Sequence, residues 1–114
     1  MSRAAQIDRT LAALSDPTRR RVVDLLKKKP RRAGELAAHL DMTPPAMSRH
    51  LRVLRKSGLI EEEAANEEDL RARTYKLRRA PFAELEKWLE GVAEMWSDQL
   101  AAFKAHVEKR ESVK

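Results

Sequence analysis

Apolar residues recur at helical spacing through most of this chain, and turn-forming residues separate the runs. Residues 4–14 and 17–29 each carry one apolar stripe, with Ser, Asp and Pro near the break between them. Residues 34–40 and 43–57 continue the pattern around a very short link, and residues 82–108 carry the longest apolar seam. The spacing therefore predicts a helix over each of these ranges.

A different pattern occupies residues 59–78, where apolar and charged side chains alternate. Leu59 and Ile60 open a first run, residues 71–77 form a second, and an acidic loop connects them. Two such runs predict a β-hairpin. The expected fold is mainly α with a small β-hairpin, in a single domain over residues 1–114, ordered as four helices, the hairpin and a last helix.

Residues 34–58 predict a helix-turn-helix. Thr43 can cap the second helix, two prolines follow it, and Gly58 supplies the left-handed residue that ends helices. Apolar residues such as Leu51 share one side of this helix, while basic and polar residues share the other. A helix with one packed face and one cationic face can dock in the major groove of DNA. With the hairpin as its wing, the predicted architecture is a winged helix-turn-helix.

The free face of this second helix supplies the candidate DNA contacts. The N-terminal half of such a helix meets base edges, while flanking basic residues hold phosphates. Cations of the hairpin can reach the minor groove or the backbone, although the acidic loop would be repelled by phosphate. The alternative is a merely solvated basic face. The candidate contacts are Thr43, Pro45, Ser48, Arg49, His50, Arg52 and Lys56 on the helix, and Arg71 and Arg73 on the hairpin.

The charge balance favours a polyanionic partner such as double-stranded DNA. The chain carries 24 Lys and Arg against 18 Asp and Glu, a formal net charge of +6, with basic residues concentrated in 19–32 and acidic ones in 61–69. Lys27 and its two neighbours also lie at the end of a helix whose dipole favours cations. The sequence leaves open whether they stabilise the helix or touch phosphate.

The chain lacks the residues that several classes of protein function require. The chain has no cysteine, which excludes disulfides, thiol redox switches and thiolate metal sites. The sequence offers no set of catalytic residues and no Gly-rich phosphate loop, so we expect no enzyme, no metal and no cofactor. Apolar runs fall short of membrane-spanning length, and the first residues lack the apolar segment of a secretory signal. We therefore expect a cytoplasmic protein with no membrane partner.

The last helix carries more apolar surface than one small domain can bury. Its apolar positions step by three or four along one seam. A second copy of the chain could cover this seam, together with the first helix, so we expect a homodimer. The alternative is a helix folded back on its own core, which would cover only the first turns. The expected interface consists of Ile7, Leu11, Leu89, Val92, Trp96, Leu100 and Phe103.

Two stretches resemble a known family. LSDPTR at residues 14–19, and SRHL at residues 48–51 with Gly58, Leu59 and Ile60, look like the ArsR-type winged-helix repressors of bacteria and archaea. The resemblance covers nearly the whole chain. It implies a dimer, joined through the first and last helices, that places the second motif helix of each subunit in the major groove of an inverted-repeat operator. Without cysteines the chain resembles the metal-free members, whose inducing signal is often unknown.

A second hypothesis is a winged-helix module that binds protein without specific DNA binding. The two hypotheses differ in salt dependence, because a DNA-binding protein releases condensed cations from the duplex and loses affinity steeply as salt is added. The operator sequence, the regulated gene, the releasing signal and the choice between repressor and activator are left open by the sequence.

Overall fold

A computed structural model of the chain describes residues 2–64 and 73–112. Every predicted helix is present within these ranges. The last helix is longer than predicted, since it begins at Arg79 rather than at residue 82 and continues to Ser112 rather than to residue 108. The elements in chain order are α1 (Arg3–Ala13), α2 (Pro17–Lys28), β1 (Arg31–Arg32), α3 (Ala33–His39), α4 (Pro44–Lys56), β2 (Ile60–Ala64), β3 (Arg73–Leu77) and α5 (Arg79–Ser112).

The predicted hairpin forms from β2 and β3, and we call this pair of strands the wing. Its antiparallel register places Ile60 opposite Leu77 and Glu62 opposite Tyr75. A third strand, β1, pairs with the free edge of β3, so the sheet order is β1-β3-β2. The sequence pattern did not predict β1, because a two-residue strand has no periodicity of its own and exists only through its pairing with β3.

Local hydrogen bonds explain where α2 and α4 begin. The carboxylate of Asp16 accepts from the backbone N–H of Arg19 at 2.9 Å. The hydroxyl of Thr43 accepts from the backbone N–H of Ala46 at 3.3 Å. Each side chain satisfies one backbone donor that lacks a partner in a first helical turn, and a proline follows each cap where its missing N–H costs nothing. Both starts confirm the predicted caps.

Both helices of the helix-turn-helix end in the same backbone motif. Leu59 N–H donates to the carbonyl of Leu54 at 3.0 Å, and Gly58 between them has φ 80°. At the end of α3, Met42 N–H donates to the carbonyl of Ala37 at 2.9 Å, and the left-handed residue is Asp41 with φ 51°. These 6→1 bonds satisfy carbonyls that the helix leaves unpaired. Gly58 was predicted in this role, whereas Asp41 was not.

The core lies where α2, α3, α4 and the sheet meet. Tyr75, Leu77 and Phe82 pack against it from the wing and from the first turn of α5. The apolar face of α4 is fully buried, which fixes the rotation of this helix and leaves its polar face outward. The largest fully buried side chains are Val22, Leu36, Met47, Leu51, Leu54, Leu59 and Thr10.

Some of the basic residues near the motif have structural partners. Arg19 donates to the carbonyl of Ala13 at 2.6 Å, and Arg20 donates to the carbonyl of Leu14 at 2.7 Å. Arg31 is 8% exposed and donates to the carbonyl of Leu25 at 3.3 Å. These guanidinium groups satisfy carbonyls at helix C-termini, where a cation is also favoured by the helix dipole.

The long α5 helix leaves the body of the domain, so the molecule measures 77 × 33 × 20 Å. α1 packs against the first part of α5, and Arg3 and Glu84 form an ion pair of 2.8 Å between the two helices. Farther along α5 the large apolar side chains lie in solvent. Among the described residues no helix combines the length and the apolar character needed to cross a membrane.

Candidate nucleic-acid interface

The outer face of α4 carries most of the predicted contacts on one exposed surface. Arg49 and Arg52 are exposed, while Met47 and Leu51, which belong to the opposite face, are buried. Burial of the apolar face therefore holds the cationic face outward, as a docking helix requires. The predicted contacts that share this exposed surface are Thr43, Pro45, Ser48, Arg49, Arg52 and Lys56.

The cations of this surface are available to a polyanion. No carboxylate among the described residues forms an ion pair with Arg49, Arg52 or Lys56. Toward the end of α4, Arg52, Arg55 and Lys56 line a shallow groove. Val53 is 40% exposed on the same helix and provides an apolar group of the kind that contacts thymine methyls. Val53 was not among the predicted contacts.

His50 is placed differently from the other predicted contacts on α4. Its ring is half-buried, and Nδ1 lies 3.7 Å from Oδ2 of Asp16, the residue that caps α2. The ring therefore faces α2 as well as the surface. A direct contact between His50 and DNA stays a prediction, and the geometry adds a second role, which is to join α4 to the start of α2.

The charge state of Asp16 follows from these neighbours. The hydrogen bond from the backbone N–H of Arg19 is the largest influence, and it lowers the pKa of the Asp16 carboxyl below its usual value. Partial burial opposes this change, while the electrostatic influence of His50 and of the Arg19 guanidinium lowers the pKa further. Asp16 is therefore held as the carboxylate, the form that accepts the capping hydrogen bond from Arg19 N–H.

The wing is tied to α4 through the carboxylate of Glu62. Oε1 of Glu62 accepts from Arg55 Nη1 at 2.8 Å and from the Tyr75 hydroxyl at 3.0 Å. Oε2 accepts from Arg73 Nη1 at 3.0 Å. The Glu62 side chain is only 18% exposed, so these three donors converge on a partly desolvated charge.

Arg73 was predicted to contact DNA, and its guanidinium is engaged with Glu62 in this structure. A contact with phosphate stays a prediction for this residue. The other predicted wing contact, Arg71, lies outside the described residues. The structure thus groups six of the seven predicted α4 contacts on one exposed face, whereas Arg73 of the wing is paired with Glu62.

The Glu62 cluster also acts on Tyr75. Burial raises the pKa of the Tyr75 hydroxyl above its usual value, and the hydrogen bond to Glu62 with the negative charge of that carboxylate raises it further. Glu62 was not among the functional residues predicted from the sequence. A signal was present, because residues two apart on a strand share a face and Glu62 therefore lies on the side of buried Ile60.

The predicted dimer surface is exposed along α5. Trp96 is 55% exposed, Leu100 62% and Phe103 65%, and Leu89 and Leu11 are also open to solvent. Val92 is half-buried. Ile7 differs from the prediction, because it is already buried in a single chain at 8% exposure and has little area left to offer a partner.

No group of three or more His, Asp or Glu side chains in the described part of the chain could hold a metal ion. The site therefore consists of the cationic face of α4, its buried supports, and the wing held beside it by Glu62. A helix-turn-helix with an outward basic helix and an attached β-wing defines a winged helix-turn-helix domain, a class of fold whose members include DNA-binding regulators.

Known proteins place the chain in one family. The family model described as bacterial regulatory protein, arsR family, matches residues 16–62. The transcriptional repressor SdpR of Bacillus subtilis (strain 168) is 42% identical over 50 residues, which cover 44% of this chain and 56% of SdpR. The match thus spans little more than half of that relative's length.

Solved structures of other proteins are similar to this chain over a larger part of its length. The ArsR family transcriptional regulator RHA00566 has a TM-score of 0.70 at 35% identity, over 81% of this chain and 97% of that chain. The homodimeric winged helix-turn-helix domain Mb0332 of Mycobacterium bovis has the same fold, with a TM-score of 0.62 at 23% identity over 84% of this chain and 85% of that chain. The chain belongs to the ArsR family of transcriptional regulators. Since these proteins are regulators and not enzymes, the expectation of no enzymatic activity is confirmed.

Proposed function

We propose that the protein is a homodimeric, sequence-specific repressor that binds an inverted-repeat DNA operator through the exposed face of α4. The observation that supports this proposal most strongly is that α4 has one buried apolar face and one exposed cationic face. Its apolar face is buried, and Arg49, Arg52 and Lys56 project outward with no carboxylate of the described chain beside them. Placing that face in a major groove would replace the counterions of DNA phosphates with fixed protein cations.

Roles within this surface follow from position along the helix. Ser48 and Arg49 lie in the N-terminal half of α4, which is the part that reaches base edges in this class of domain. Arg52 and Lys56 lie one and two turns farther along α4, where their side chains suit contacts with the phosphate backbone of DNA. Thr43 and Pro45 belong to the first turn, where the Thr43 hydroxyl can donate to a phosphate. The Pro45 ring can only pack against the DNA, because proline has no N–H to donate.

Dimerisation is proposed from the exposed seam of α5. Trp96, Leu100 and Phe103 would remain in water in a single chain, and a second copy presents the same side chains across a twofold axis. A twofold dimer presents two α4 helices in opposite directions, so its operator should read as an inverted repeat. We also propose residues 1–114 as one winged-helix domain in which α1 and α5 carry the dimer contacts.

Repression rather than activation is supported by the function stated for SdpR, to which the central part of the chain is similar. A cytoplasmic location follows from the same proposal, because the regulator must reach promoter DNA. The gene it controls is to be sought next to its own.

The proposal is tested by fluorescence anisotropy with the DNA upstream of the protein's own gene, measured at a low and a moderate salt concentration. A scrambled duplex of the same length and composition is the control. We expect preference for the upstream DNA and a steep loss of affinity with salt, with log K falling by about 0.9 per log unit of salt for each phosphate neutralised. Absence of any preference at low salt contradicts the proposal and favours the protein-binding module.

A further inference from the structure

A cavity of about 490 Å³ lies where α2, the end of β3 and the first turn of α5 meet. Its size falls within the range of sites that hold small organic molecules, which is about 300 to 1,000 Å³. The cavity is separate from the outer face of α4. It is lined by Val23 and Lys27 of α2, by Leu77 and Arg78 at the end of β3, and by Arg79 and Phe82 of α5.

The lining combines two kinds of side chain. Val23, Leu77 and Phe82 form an apolar wall that is continuous with the core. The remaining lining residues are all cations, and none of the lining residues is acidic. An apolar wall edged with positive charge is complementary to a molecule that has an apolar body and an anionic end.

The three cations that line the cavity differ in whether a carboxylate already forms an ion pair with them. Lys27 lies 3.1 Å from Asp24, and Arg78 lies 4.0 Å from Glu61, at the limit of an ion pair. Arg79 is exposed and has no ion-pair partner among the described residues. An anionic end would therefore find Arg79 unpaired and Arg78 only weakly paired. A DNA phosphate could use these charges but would gain nothing from the apolar wall.

We propose that this cavity binds a small amphipathic carboxylate, such as a medium-chain fatty acid, which lies against Val23, Leu77 and Phe82 and pairs with Arg79. The further role of this cavity as an effector site rests on the proposed function. The occupied cavity touches α2, which packs on α4, and also the end of β3 and the first turn of α5. Added negative charge beside the wing should weaken the attraction for DNA, so the ligand acts as an inducer.

The test uses the full chain with methyl-labelled Val and Leu and the probe decanoate. Decanamide carries the same chain without a charge, and acetate carries the charge without the chain. We expect decanoate to shift the methyl signals of Val23 and Leu77 in a saturable way while those of Leu100 and Val107 stay unchanged. Decanamide should bind about three- to tenfold more weakly, and acetate should leave the signals unchanged.

A pair of matched double variants isolates the charges. Lys27→Gln with Arg79→Gln removes two cations from the cavity, and Lys28→Gln with Arg21→Gln removes two exposed cations of α2 that do not line it. The first pair should weaken decanoate binding by about three- to tenfold, while the second should leave it unchanged. Equal binding of decanamide and decanoate, or shifts at Leu100 in place of Val23 and Leu77, would overturn the proposal.

The effector role is read out separately by anisotropy. Saturating decanoate should weaken binding to the upstream DNA by about threefold or more at low salt. Unchanged DNA affinity with the cavity occupied would refute the effector role. Failure of the ligand-free protein to recognise its upstream DNA would instead count against the proposed function, because binding of decanoate is measured without DNA.

Discussion

Nη1 of Arg55, near the end of α4, lies 2.8 Å from Oε1 of Glu62 in the first wing strand. The other carboxylate oxygen lies 3.0 Å from Arg73 in the second wing strand. One side chain therefore holds α4 and both strands of the wing in a common orientation. This carboxylate therefore fixes the orientation of the wing relative to the exposed face of α4, on which the proposed DNA surface depends.

Replacing Glu62 with Gln should lower the free energy of unfolding by about 1 to 2 kcal/mol, because the amide keeps the shape but loses the charge that two arginines and a tyrosine share. Chemical denaturation measures this change. The matched control is Glu63→Gln. Glu63 is exposed, and within residues 2–64 and 73–112 its one ion pair is with Lys76 at 3.6 Å, so its replacement should cost less than about 0.5 kcal/mol. Equal losses for the two variants would show that Glu62 has no special role.

Tyr75 is the single tyrosine of the chain, so its ionisation can be followed directly by the ultraviolet absorbance of the phenolate. The pKa should lie above the usual value, chiefly because of burial. Glu62→Gln should lower it only in part, since burial remains. A folded pKa that is raised contributes stability below about pH 10, and this contribution is lost as the pH rises through the raised pKa. A pKa for Tyr75 that is unchanged from its usual value in the folded chain would contradict the claim that burial and Glu62 raise it.

Replacing Arg49 with Ala should weaken binding to the operator. If Arg49 meets a guanine edge, preference at one base of each half-site should relax by about 1 to 3 kcal/mol. Anisotropy with single-base variants of the operator measures this effect. Arg110→Ala, which removes the same charge near the far end of α5, is the control. A loss that is uniform across sequences would make Arg49 a phosphate contact.

Replacing Trp96 and Leu100 with Glu should yield monomers that bind DNA weakly, because two charges would be buried in the proposed interface without partners. Analytical ultracentrifugation measures the oligomeric state. The control places Glu at Ala101 and Ala105, which are exposed on the opposite side of α5. A dimer that survives the first pair of changes would show that the seam is not the interface.

Asp16 should make stability depend on pH in the acid range. Its pKa is lowered in the folded chain, so its contribution is present above about pH 4, the usual value, and is lost as the pH falls through the lowered pKa. Asp16→Ala should cost about 1 kcal/mol at neutral pH through loss of the cap, while Asp16→Asn keeps an acceptor and should cost less. Denaturation at neutral and strongly acid pH should show the wild-type advantage over Asn disappearing in acid. An advantage that persists there would mean that the carboxylate charge is irrelevant.

Signals confined to one or two helical turns were sufficient to predict α2 and α4. Asp16, Thr43 and Gly58 act on backbone groups only a few residues away, so their effects can be inferred from the local sequence. The apolar stripe of α4 likewise predicted which of its faces is buried. For the same reason Arg49 and Arg52 were correctly placed on the exposed face.

Contacts between distant segments could not be inferred in this way. β1 exists because Arg31 pairs with Tyr75, and His50 meets Asp16 of a different helix. Asp41 takes a left-handed conformation that sequence assigns more readily to glycine or asparagine. The first two outcomes depend on the packing of elements that are far apart along the chain, whereas Asp41 accompanies a local hydrogen bond from Met42 N–H to the carbonyl of Ala37.

Glu62 illustrates both what the local sequence determines and what only the tertiary structure determines. Alternation along a strand determines from the sequence that Glu61 and Glu63 share one face and that Glu62 lies on the other. Only the tertiary structure decides that Arg55 of α4 and Arg73 of β3 meet on that second face. The reason is physical, because periodicity is a property of the local backbone, whereas the partners of a charge depend on how separate elements pack.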